Sequence, residues 1–443
     1  MRTMQDVGNI SIPVGWTYQK IKTLVKGLTD GTHGTYERLG EGFPLLSAKN
    51  VFEDGIHISK NESLISENDY KSITANGFPH RGDVLLCCVG TIGRTTIYKE
   101  DQPMAFQRSV IFITPNNDVI TSEWLNYTLM NPDVIAQEEC MVNQAAQPGL
   151  YQGSVRQIKI PVPPLSEQHA IVSFLDRKCV AIDDSIAKHK AIIEKLEEYR
   201  KAEITRAVTK GLNPDAKMKD SGIESIGFIP EQWRCVRLKF LLENGANGIK
   251  IGPFGSALKD KTLESGPYKI YNQANVIADD FSLKRHFISE DTFQELQNYL
   301  ILPGDVLFSM MGTIGKCSIM PKGIQAGIMD SHLLKAQLSK RIDTSYFKYV
   351  YDKDNSNAVI QQLMVASKGS IMNGLNSSIL KNVFIPLPSI KEQKQIVAFL
   401  NKTASCIDDD IDQHNQLIAK LEEYKKSLIY NAVTGKIDCR EGA

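Results

Sequence analysis

The chain has 443 residues, of which 51 are basic and 51 acidic, so its formal net charge is zero. With 42% hydrophobic and 23% charged residues, its composition is that of an ordinary globular protein with about two to three domains. The balanced charge gives no electrostatic indication of nucleic-acid or membrane binding. Eight cysteines without a CxxC pair indicate neither a metal site nor a disulfide framework. No apolar leader and no run of eighteen apolar residues occur, so we expect a cytoplasmic protein without a membrane partner.

The first predicted segment is a mixed α/β domain over residues 1–165. Short apolar runs bounded by Gly, Pro and Asp favour strands at 82–90 (GDVLLCCVG) and 108–115 (RSVIFITP), and 124–139 has helical spacing. Prolines at 161, 163 and 164 then force extended backbone. A helix of about forty residues without internal Gly or Pro follows, roughly 60 Å long, and we assign it to 166–212.

The second half repeats this order. Residues 161–209 return at 386–434 with about half the positions identical and no gap, an offset of 386 − 161 = 225. GDVL and GTIG at 82–93 also return, at 304–315. We therefore predict a second mixed α/β domain over 213–390 and a second helix over 391–436, which Ser389 and Glu392 open as a capping box. The chain therefore contains an internal repeat, and we expect its two halves to be related by pseudo-two-fold symmetry.

Helices of this length need a partner for their apolar stripe. Apolar residues and one histidine alternate at spacings of four and three in each helix, which is a heptad seam. We expect the two helices to form an antiparallel coiled coil in which His189 and His414 approach each other and fix the register. The predicted interface consists of Leu175, Ile182, Ile186, His189, Ile193, Leu196, Leu400, Ile407, Ile411, His414, Ile418 and Leu421.

No catalytic motif is found. GTIGKC at 312–317 lacks two residues of the phosphate-binding loop pattern, because Met310 stands where Gly is needed and Cys317 where Ser or Thr is needed. HExxH, GxSxG and a helix-opening GxGxxG are absent as well. We therefore expect a binding protein without catalytic residues.

The duplicated proline/EQ helix start, the GDVL and GTIG motifs and the LEEY and AVT helix end resemble the specificity subunit of Type I restriction-modification systems. The resemblance covers nearly the whole chain. It implies two target-recognition domains that each read one half of a bipartite DNA site, and helices that hold two modification (adenine methyltransferase) subunits. It also implies restriction (translocase/endonuclease) subunits as further partners of the assembly on double-stranded DNA. S-adenosylmethionine and ATP then belong to the partner subunits, and this chain needs no cofactor.

Comparison of the two halves nominates DNA-binding residues. Matching residues hold the common fold, whereas polar residues that differ at equivalent places are candidates for reading bases. Arg94 and Lys316 follow the GTIG motifs as candidate phosphate contacts. The predicted DNA-binding residues are Lys49, Asn50, Arg94, Gln107, Arg108, Gln144, Gln147, Gln273, Asn275, Lys316, His332 and Lys368.

Two other readings of the sequence stay open at this point. The heads on the coiled coil could bind proteins, which would make the chain an adaptor without DNA specificity. The chain could also be an enzyme with an unrecognised site. For each candidate residue, a polar loop position without DNA contact is the alternative to a DNA-reading role.

Overall fold

The polypeptide forms two units, and the helix pair contributes to both. The computed structural model describes residues 4–7, 10–75, 77–141, 149–253, 255–283, 286–311, 313–367 and 375–439. Unit 1 consists of Met1–His189 with Asn415–Ala443, and unit 2 consists of Lys190–His414. Each unit therefore contains one α/β globule and one half of each long helix.

The strands and helices alternate irregularly within each globule. The strands of the first half are β1 Met4–Val7, β2 Ile10–Pro13, β3 Thr17–Lys20, β4 Val25–Asp30, β5 Phe43–Leu46, β6 Val51–Phe52, β7 Gly55–Ile56, β8 Leu64–Ile65, β9 Val84–Cys87, β10 Thr95–Ile97, β11 Ala105–Phe106, β12 Val110–Pro115 and β13 Lys159–Val162. Those of the second half are β14 Met218–Asp220, β15 Phe228–Pro230, β16 Arg234–Arg237, β17 Ile249–Ile251, β18 Tyr268–Tyr271, β19 His286–Ile288, β20 Val306–Ser309, β21 Cys317–Ile319, β22 Gly327–Met329, β23 Leu333–Ala336 and β24 Phe384–Leu387. The helices are α1 Glu67–Ala75, α2 Ser122–Leu129, α3 Pro132–Met141, α4 Gln152–Val155, α5 Leu165–Lys210, α6 Gly255–Leu258, α7 Gln273–Ala278, α8 Glu290–Glu295, α9 Thr344–Tyr351, α10 Ile360–Ser367, α11 Ser377–Asn382 and α12 Ile390–Val433.

The two largest sheets of each unit have the same topology. In unit 1 an antiparallel sheet runs in the order β10-β9-β12-β4, and in unit 2 the order is β21-β20-β23-β17. A second sheet has the order β11-β5-β8 in unit 1 and β22-β18-β19 in unit 2. Its first two strands are parallel in both units, with Phe106 opposite Leu46 and Met329 opposite Tyr271. The internal repeat therefore extends to strand order and direction.

The long helices begin at Leu165 and Ile390, directly after the prolines. A fully buried glutamine lies in the first turn of each. Gln168 accepts a hydrogen bond from the Thr121 N–H at 2.9 Å and donates to the carbonyls of Val119 at 2.8 Å and Pro163 at 2.9 Å. Gln393 makes the same bonds in unit 2, with the Asp343 N–H at 2.7 Å and the carbonyls of Arg341 and Pro388 at 3.1 and 3.0 Å. These side chains pair backbone groups just before α2 or α9 and just before the long helix, which burial would otherwise leave without a partner.

A tryptophan in each globule binds the first turn of the helix that follows it. Trp16 Nε1 donates to Glu167 Oε2 at 3.0 Å, and Trp233 Nε1 donates to Glu392 Oε2 at 3.0 Å. Both tryptophans are buried. The predicted capping box is formed only in part, because Ser389 Oγ accepts from the Glu392 N–H at 3.3 Å while the Glu392 carboxylate bonds to the indole.

The same tryptophans contact the end of the other helix. A Cβ added to Gly435, just after α12, would lie 2.2 Å from Pro13 and 3.3 Å from Trp16. A Cβ added to Gly211, just after α5, would lie 3.2 Å from Trp233. Both glycines have positive φ, 72° and 74°, which a side chain would strain. Each indole therefore lies between the start of one long helix and the end of the other.

Within each unit the two helix segments run antiparallel. In unit 1, Lys425 lies 2.9 Å from Asp183, and in unit 2, Arg200 forms an ion pair with Asp408. All twelve residues of the predicted seam are buried or half-buried, whereas most of their neighbours along the helices are exposed. The proximity of His189 and His414 stays a prediction.

The predicted fold class is confirmed: two similar mixed α/β globules are joined to two long helices. The helices span Leu165–Lys210 and Ile390–Val433, against the predicted 166–212 and 391–436. The predicted domain boundaries themselves stay predictions. In the part of the chain that the structure describes, no helix is long and apolar enough to cross a membrane.

Candidate nucleic-acid interface

Two turns lie side by side in unit 1 because the strands before them are parallel. The turn Ser47–Asn50 follows β5, and the turn Gln107–Ser109 follows β11. The Ala48 N–H donates to Ser109 Oγ at 3.0 Å, so the two turns are in direct contact. The carboxyl ends of parallel strands meet at one sheet edge, which is a common place for binding residues carried on loops.

Further segments join these turns through backbone hydrogen bonds. The Cys88 N–H, at the start of the turn that contains GTIG, donates to the Ser109 carbonyl at 2.9 Å. The Leu150 N–H donates to the Cys88 carbonyl at 2.8 Å, and the Arg108 N–H donates to the Thr32 carbonyl at 3.0 Å. Loop cluster 1 is defined as residues 31–33, 47–50, 88–94, 107–109 and 149–152.

Unit 2 repeats this assembly of loops. The Met310 N–H donates to the His332 carbonyl at 3.2 Å, and the Leu375 N–H donates to the Met310 carbonyl at 2.8 Å. The Gly252 N–H donates to the Leu333 carbonyl at 3.0 Å, as the Gly31 N–H does to Val110 at 3.1 Å in unit 1. Loop cluster 2 is defined as residues 251–253, 272–275, 310–311, 313–316, 330–332 and 375–376.

The predicted DNA-binding residues that the structure describes all lie on these clusters. Loop cluster 1 brings together Lys49, Asn50, Arg94, Gln107 and Arg108, and loop cluster 2 brings together Gln273, Asn275, Lys316 and His332. Gln144, Gln147 and Lys368 lie outside the described residues. Which of these side chains contact DNA stays a prediction, but their surroundings differ.

Three of the predicted residues are exposed on the clusters. Arg108 and His332 face solvent on the turns after the parallel strands, and the Lys49 side chain is 60% exposed. Lys49 Nζ lies 2.7 Å from Glu62 Oε1, and Gln107 is half-buried beside Arg108. Exposed cations and imidazole groups are suited to phosphates and to acceptor atoms on base edges.

Asn50 and Asn275 are buried, and their amide groups are used within the fold. Asn50 Oδ1 accepts from the Ser47 N–H at 3.0 Å, and its Nδ2 donates to the His57 carbonyl at 3.0 Å. Asn275 makes matching bonds to the Asn272 N–H at 3.0 Å and to the carbonyl of residue 280 at 2.9 Å. Both side chains stabilise turns as asparagine often does. This burial argues against direct base reading by either residue.

Gln273 also stabilises its own loop cluster. Its Oε1 accepts from Ser309 Oγ at 2.7 Å and from the Met311 N–H at 2.9 Å. The side-chain oxygen of Gln273 is therefore occupied, and only its side-chain –NH2 group could donate a hydrogen bond to a base edge.

The two candidate phosphate contacts are engaged inside the protein. The Arg94 guanidinium donates to the Val51 carbonyl at 3.0 Å and lies 5.1 Å from the Phe52 ring centroid. Lys316 is only 16% exposed, forms an ion pair with Asp354 and lies 3.7 Å from Asp352. Burial opposes the charge of Lys316, but these two carboxylates outweigh it and raise the pKa of the ammonium. A phosphate contact by either residue would have to compete with these bonds.

Sequence reasoning missed several residues of the clusters. Tyr151 is 54% exposed beside Leu150 in loop cluster 1, and Met311 is 50% exposed beside Met310 in loop cluster 2. His33 Nε2 lies 2.9 Å from Asp30, which also accepts from Gln152 Nε2 at 2.6 Å. Tyr151 follows a Gly-containing loop, which is the signal that could have nominated it.

Two buried thiols donate hydrogen bonds to backbone carbonyls of loop cluster 1. Cys88 Sγ donates to the Arg108 carbonyl at 3.1 Å, and Cys87 Sγ donates to the Ala48 carbonyl at 3.7 Å. Burial is the main cause that raises the pKa of Cys88 to about 12 and the pKa of Cys87 to about 11. Both groups therefore stay protonated donors at neutral pH.

Solved structures share this fold. A structure from work on complex assembly and conformational transition of the type I R-M system covers 96% of this chain and 99% of its own, with a TM-score of 0.68 and 16% identity. The HsdS subunit from Thermoanaerobacter tengcongensis covers 98% of this chain and 100% of its own, with a TM-score of 0.52 and 16% identity.

Proteins of similar sequence are described as specificity subunits of type I restriction enzymes. The putative type I restriction enzyme MjaX specificity subunit of Methanocaldococcus jannaschii is 23% identical, over 96% of this chain and 94% of the relative. The MjaVIII specificity subunit of the same organism is 23% identical, over 98% and 95%. The EcoBI specificity subunit of Escherichia coli is 25% identical, over 63% and 58%.

A family model settles the classification. The model for the Type I restriction modification DNA specificity domain matches the chain twice, over residues 31–198 and 249–423. Each match includes one loop cluster and much of the helix that follows it. An adaptor without DNA specificity is therefore not favoured. The chain belongs to the Type I restriction-modification DNA specificity family, whose members recognise DNA and bind the partner subunits of the system.

Proposed function

We propose that loop clusters 1 and 2 each read one half of a bipartite DNA site. The observation that carries this proposal is that the clusters share backbone hydrogen bonds but differ in side chains. Lys49 stands where the other cluster has Ala274, and Gln107 and Arg108 stand where the other has Asp330 and Ser331. A common frame with different side chains suits two readers of two different sequences.

The helix pair serves as the spacer between these readers and as the scaffold for other subunits. Two modification subunits with S-adenosylmethionine carry out adenine methylation, and restriction subunits with ATP carry out cleavage. The chain itself supplies recognition and assembly, needs no cofactor and has no catalytic role. It acts in the cytoplasm, where its DNA substrate and partner subunits are found.

The separation of the two half-sites follows from the length of the spacer. Four helical residues added to each long helix lengthen it by about 6 Å, which is nearly two base pairs of B-DNA. We expect the unspecified gap of the recognised site to lengthen accordingly. A gap that stays the same in methylation maps of such a variant would contradict the spacer role.

Methylation mapping tests the proposal as a whole. Genomic DNA from cells with the gene should carry a bipartite adenine-methylation motif that disappears when the gene is deleted. An Arg108→Ala variant should weaken or relax one half of the motif, and a His332→Ala variant the other half. The proposal would be refuted if no methylation motif disappeared on deletion of the gene, or if both variants affected both halves of the motif equally.

A further inference from the structure

A glutamate is completely buried behind the GTIG turn of unit 1. Glu138 on α3 is 0% exposed, and neither carboxyl oxygen has a hydrogen-bond partner among the described residues. An ionised carboxylate in such a place is strongly disfavoured, because nothing replaces the water that it has lost. The neutral acid is the form that this site accommodates.

The carboxyl group lies directly under the turn. A Cβ added to Gly93 would be 3.0 Å from Glu138 Oε2 and 3.8 Å from Ile135. Gly93 has φ of 84°, and its N–H donates to the Cys87 carbonyl at 3.1 Å, which closes the turn. A change in the hydration of Glu138 therefore acts first on residues 88–94 of loop cluster 1.

The helix of unit 2 that corresponds to α3 is identified by a pair of matching bonds. Gln137 donates to the Lys159 carbonyl at 3.1 Å and accepts from its N–H at 3.0 Å. Gln362 on α10 donates to the Phe384 carbonyl at 3.1 Å and accepts from its N–H at 2.9 Å. Because both glutamines hold the strand before their long helix in the same way, Gln137 and Gln362 are equivalent.

The next residue is then the counterpart of Glu138, and it is Leu363. Leu363 is also 0% exposed and belongs to the main apolar core of unit 2. The fold accepts an apolar side chain of similar size at this place, so the carboxyl group of Glu138 is not needed for packing.

Among the residues that the structure describes, no cation compensates the carboxyl group. The titratable and charged groups on the described elements around it are Asp133, Glu139 and Cys140 on α3, Glu123 and Tyr127 on α2, Tyr18 on β3, Lys159 on β13, Arg156 next to α4, and Cys87, Cys88 and Arg94 at the turn. Lys159 is exposed. The two arginines bond elsewhere, Arg156 to the Leu28 carbonyl at 3.0 Å and Arg94 to the Val51 carbonyl at 3.0 Å. Burial first, and the charge of Glu139 second, raise the pKa of Glu138 to about 8.

We propose that Glu138 is a positioning residue that leaves the turn 88–94 in place as a neutral acid and displaces it on ionisation, so that recognition by loop cluster 1 weakens as pH rises. Recognition by loop cluster 2 has no such dependence, because Leu363 cannot ionise. The inference rests on the proposed role of the two clusters as DNA readers. Water must reach the carboxylate once it forms, and the turn directly above it is the nearest structure that can move. A DNA phosphate on the cluster would oppose ionisation further.

The test measures DNA affinity between pH 6 and 9 with the full chain assembled with its modification subunits. Glu138→Leu copies the residue of the other half, Glu138→Gln keeps the shape, and Glu123→Gln is the matched control, because Glu123 is exposed on α2. Wild type and Glu123→Gln should lose about tenfold in affinity from pH 7 to pH 9, as one proton with a pKa near 8 requires. Glu138→Leu and Glu138→Gln should change less than twofold.

Targets with one substituted base pair in either half-site locate the effect. For wild type, discrimination at one half should fall with pH and this fall should be absent in Glu138→Leu, while discrimination at the other half should have the same pH profile in both proteins. An unchanged pH profile in both Glu138 variants, or an equal loss at both halves, would overturn the inference. Bipartite recognition that persists in that case would leave the proposed function standing, whereas its absence at every pH would refute the proposed function instead.

Discussion

Replacement of Gln168 by alanine should destabilise unit 1 strongly. The buried amide pairs three backbone groups, the N–H of Thr121 and the carbonyls of Val119 and Pro163, at 2.8 to 2.9 Å. Each buried group left without a partner costs about 1–3 kcal/mol, and groups that share one side chain add up incompletely. We therefore expect the free energy of unfolding of unit 1 to fall by about 3–5 kcal/mol.

A second substitution separates hydrogen bonding from packing. Gln168→Glu keeps the size and the acceptor that Thr121 uses, but it replaces the donor with an oxygen that faces two carbonyls. Repulsion between these oxygens should make Gln168→Glu at least as destabilising as alanine at neutral pH.

The assay is urea unfolding of the purified chain with hydrogen exchange as the readout. Exchange at Trp16 and Trp124 reports the unfolding of unit 1, and exchange at Trp233 reports the unfolding of unit 2, since all three residues are buried. The matched variant Gln393→Ala should shift the unfolding of unit 2 by a similar amount and spare unit 1. A loss below about 1 kcal/mol for Gln168→Ala would show that water replaces the amide, and the reasoning would fail.

Three further outcomes are expected. Gly252→Ala places a Cβ 1.7 Å from the Asp330 carbonyl oxygen, so DNA affinity in gel shifts should fall more than about tenfold, whereas Gly153→Ala, with open space around its Cβ, should leave affinity unchanged. Lys49→Ala should reduce the slope of log affinity against log salt by about one if the lysine contacts a phosphate, and an unchanged slope would exclude that contact. Glu138 has a pKa of about 8 when folded against 4.5 as its ordinary value, so its unfolded form loses the proton first and wild-type stability falls between these pH values. In urea unfolding, the stability of Glu138→Leu relative to wild type should therefore grow by about 3 kcal/mol from pH 4.5 to pH 7, and a constant difference would contradict the buried acid.

The long helices and the shared frame of the globules could be predicted because their signals are local or duplicated. Prolines before Leu165 and Ile390, a heptad spacing and a gap-free repeat all point to the same helices. The internal comparison also placed residues such as Arg108 and His332 on equivalent turns, because the repeat preserves strand order. Agreement between independent signals made these predictions reliable.

The individual roles of polar residues could not be predicted in the same way. An asparagine in a turn has the same local pattern whether it reads a base or closes the turn, and only the structure shows that Asn50 is buried with its amide bonded to the Ser47 N–H and the His57 carbonyl. Glu138 follows Gln137 in a polar stretch, so its sequence suggests an exposed helix face. The contact between its carboxyl group and the Gly93 turn arises from tertiary packing alone.

The division of the helix pair between the units has a consequence for synthesis of the protein. Unit 2 is one continuous segment, Lys190–His414, whereas unit 1 joins Met1–His189 to Asn415–Ala443. The ribosome makes the first globule early, but the helical segment that covers Pro13 and Trp16 emerges only after all of unit 2. Unit 2 can therefore complete its fold during translation before unit 1 does. A nascent chain that stops short of residue 415 would carry a finished second reader and an unfinished first one, which exposes it to proteolysis before it can enter an assembly.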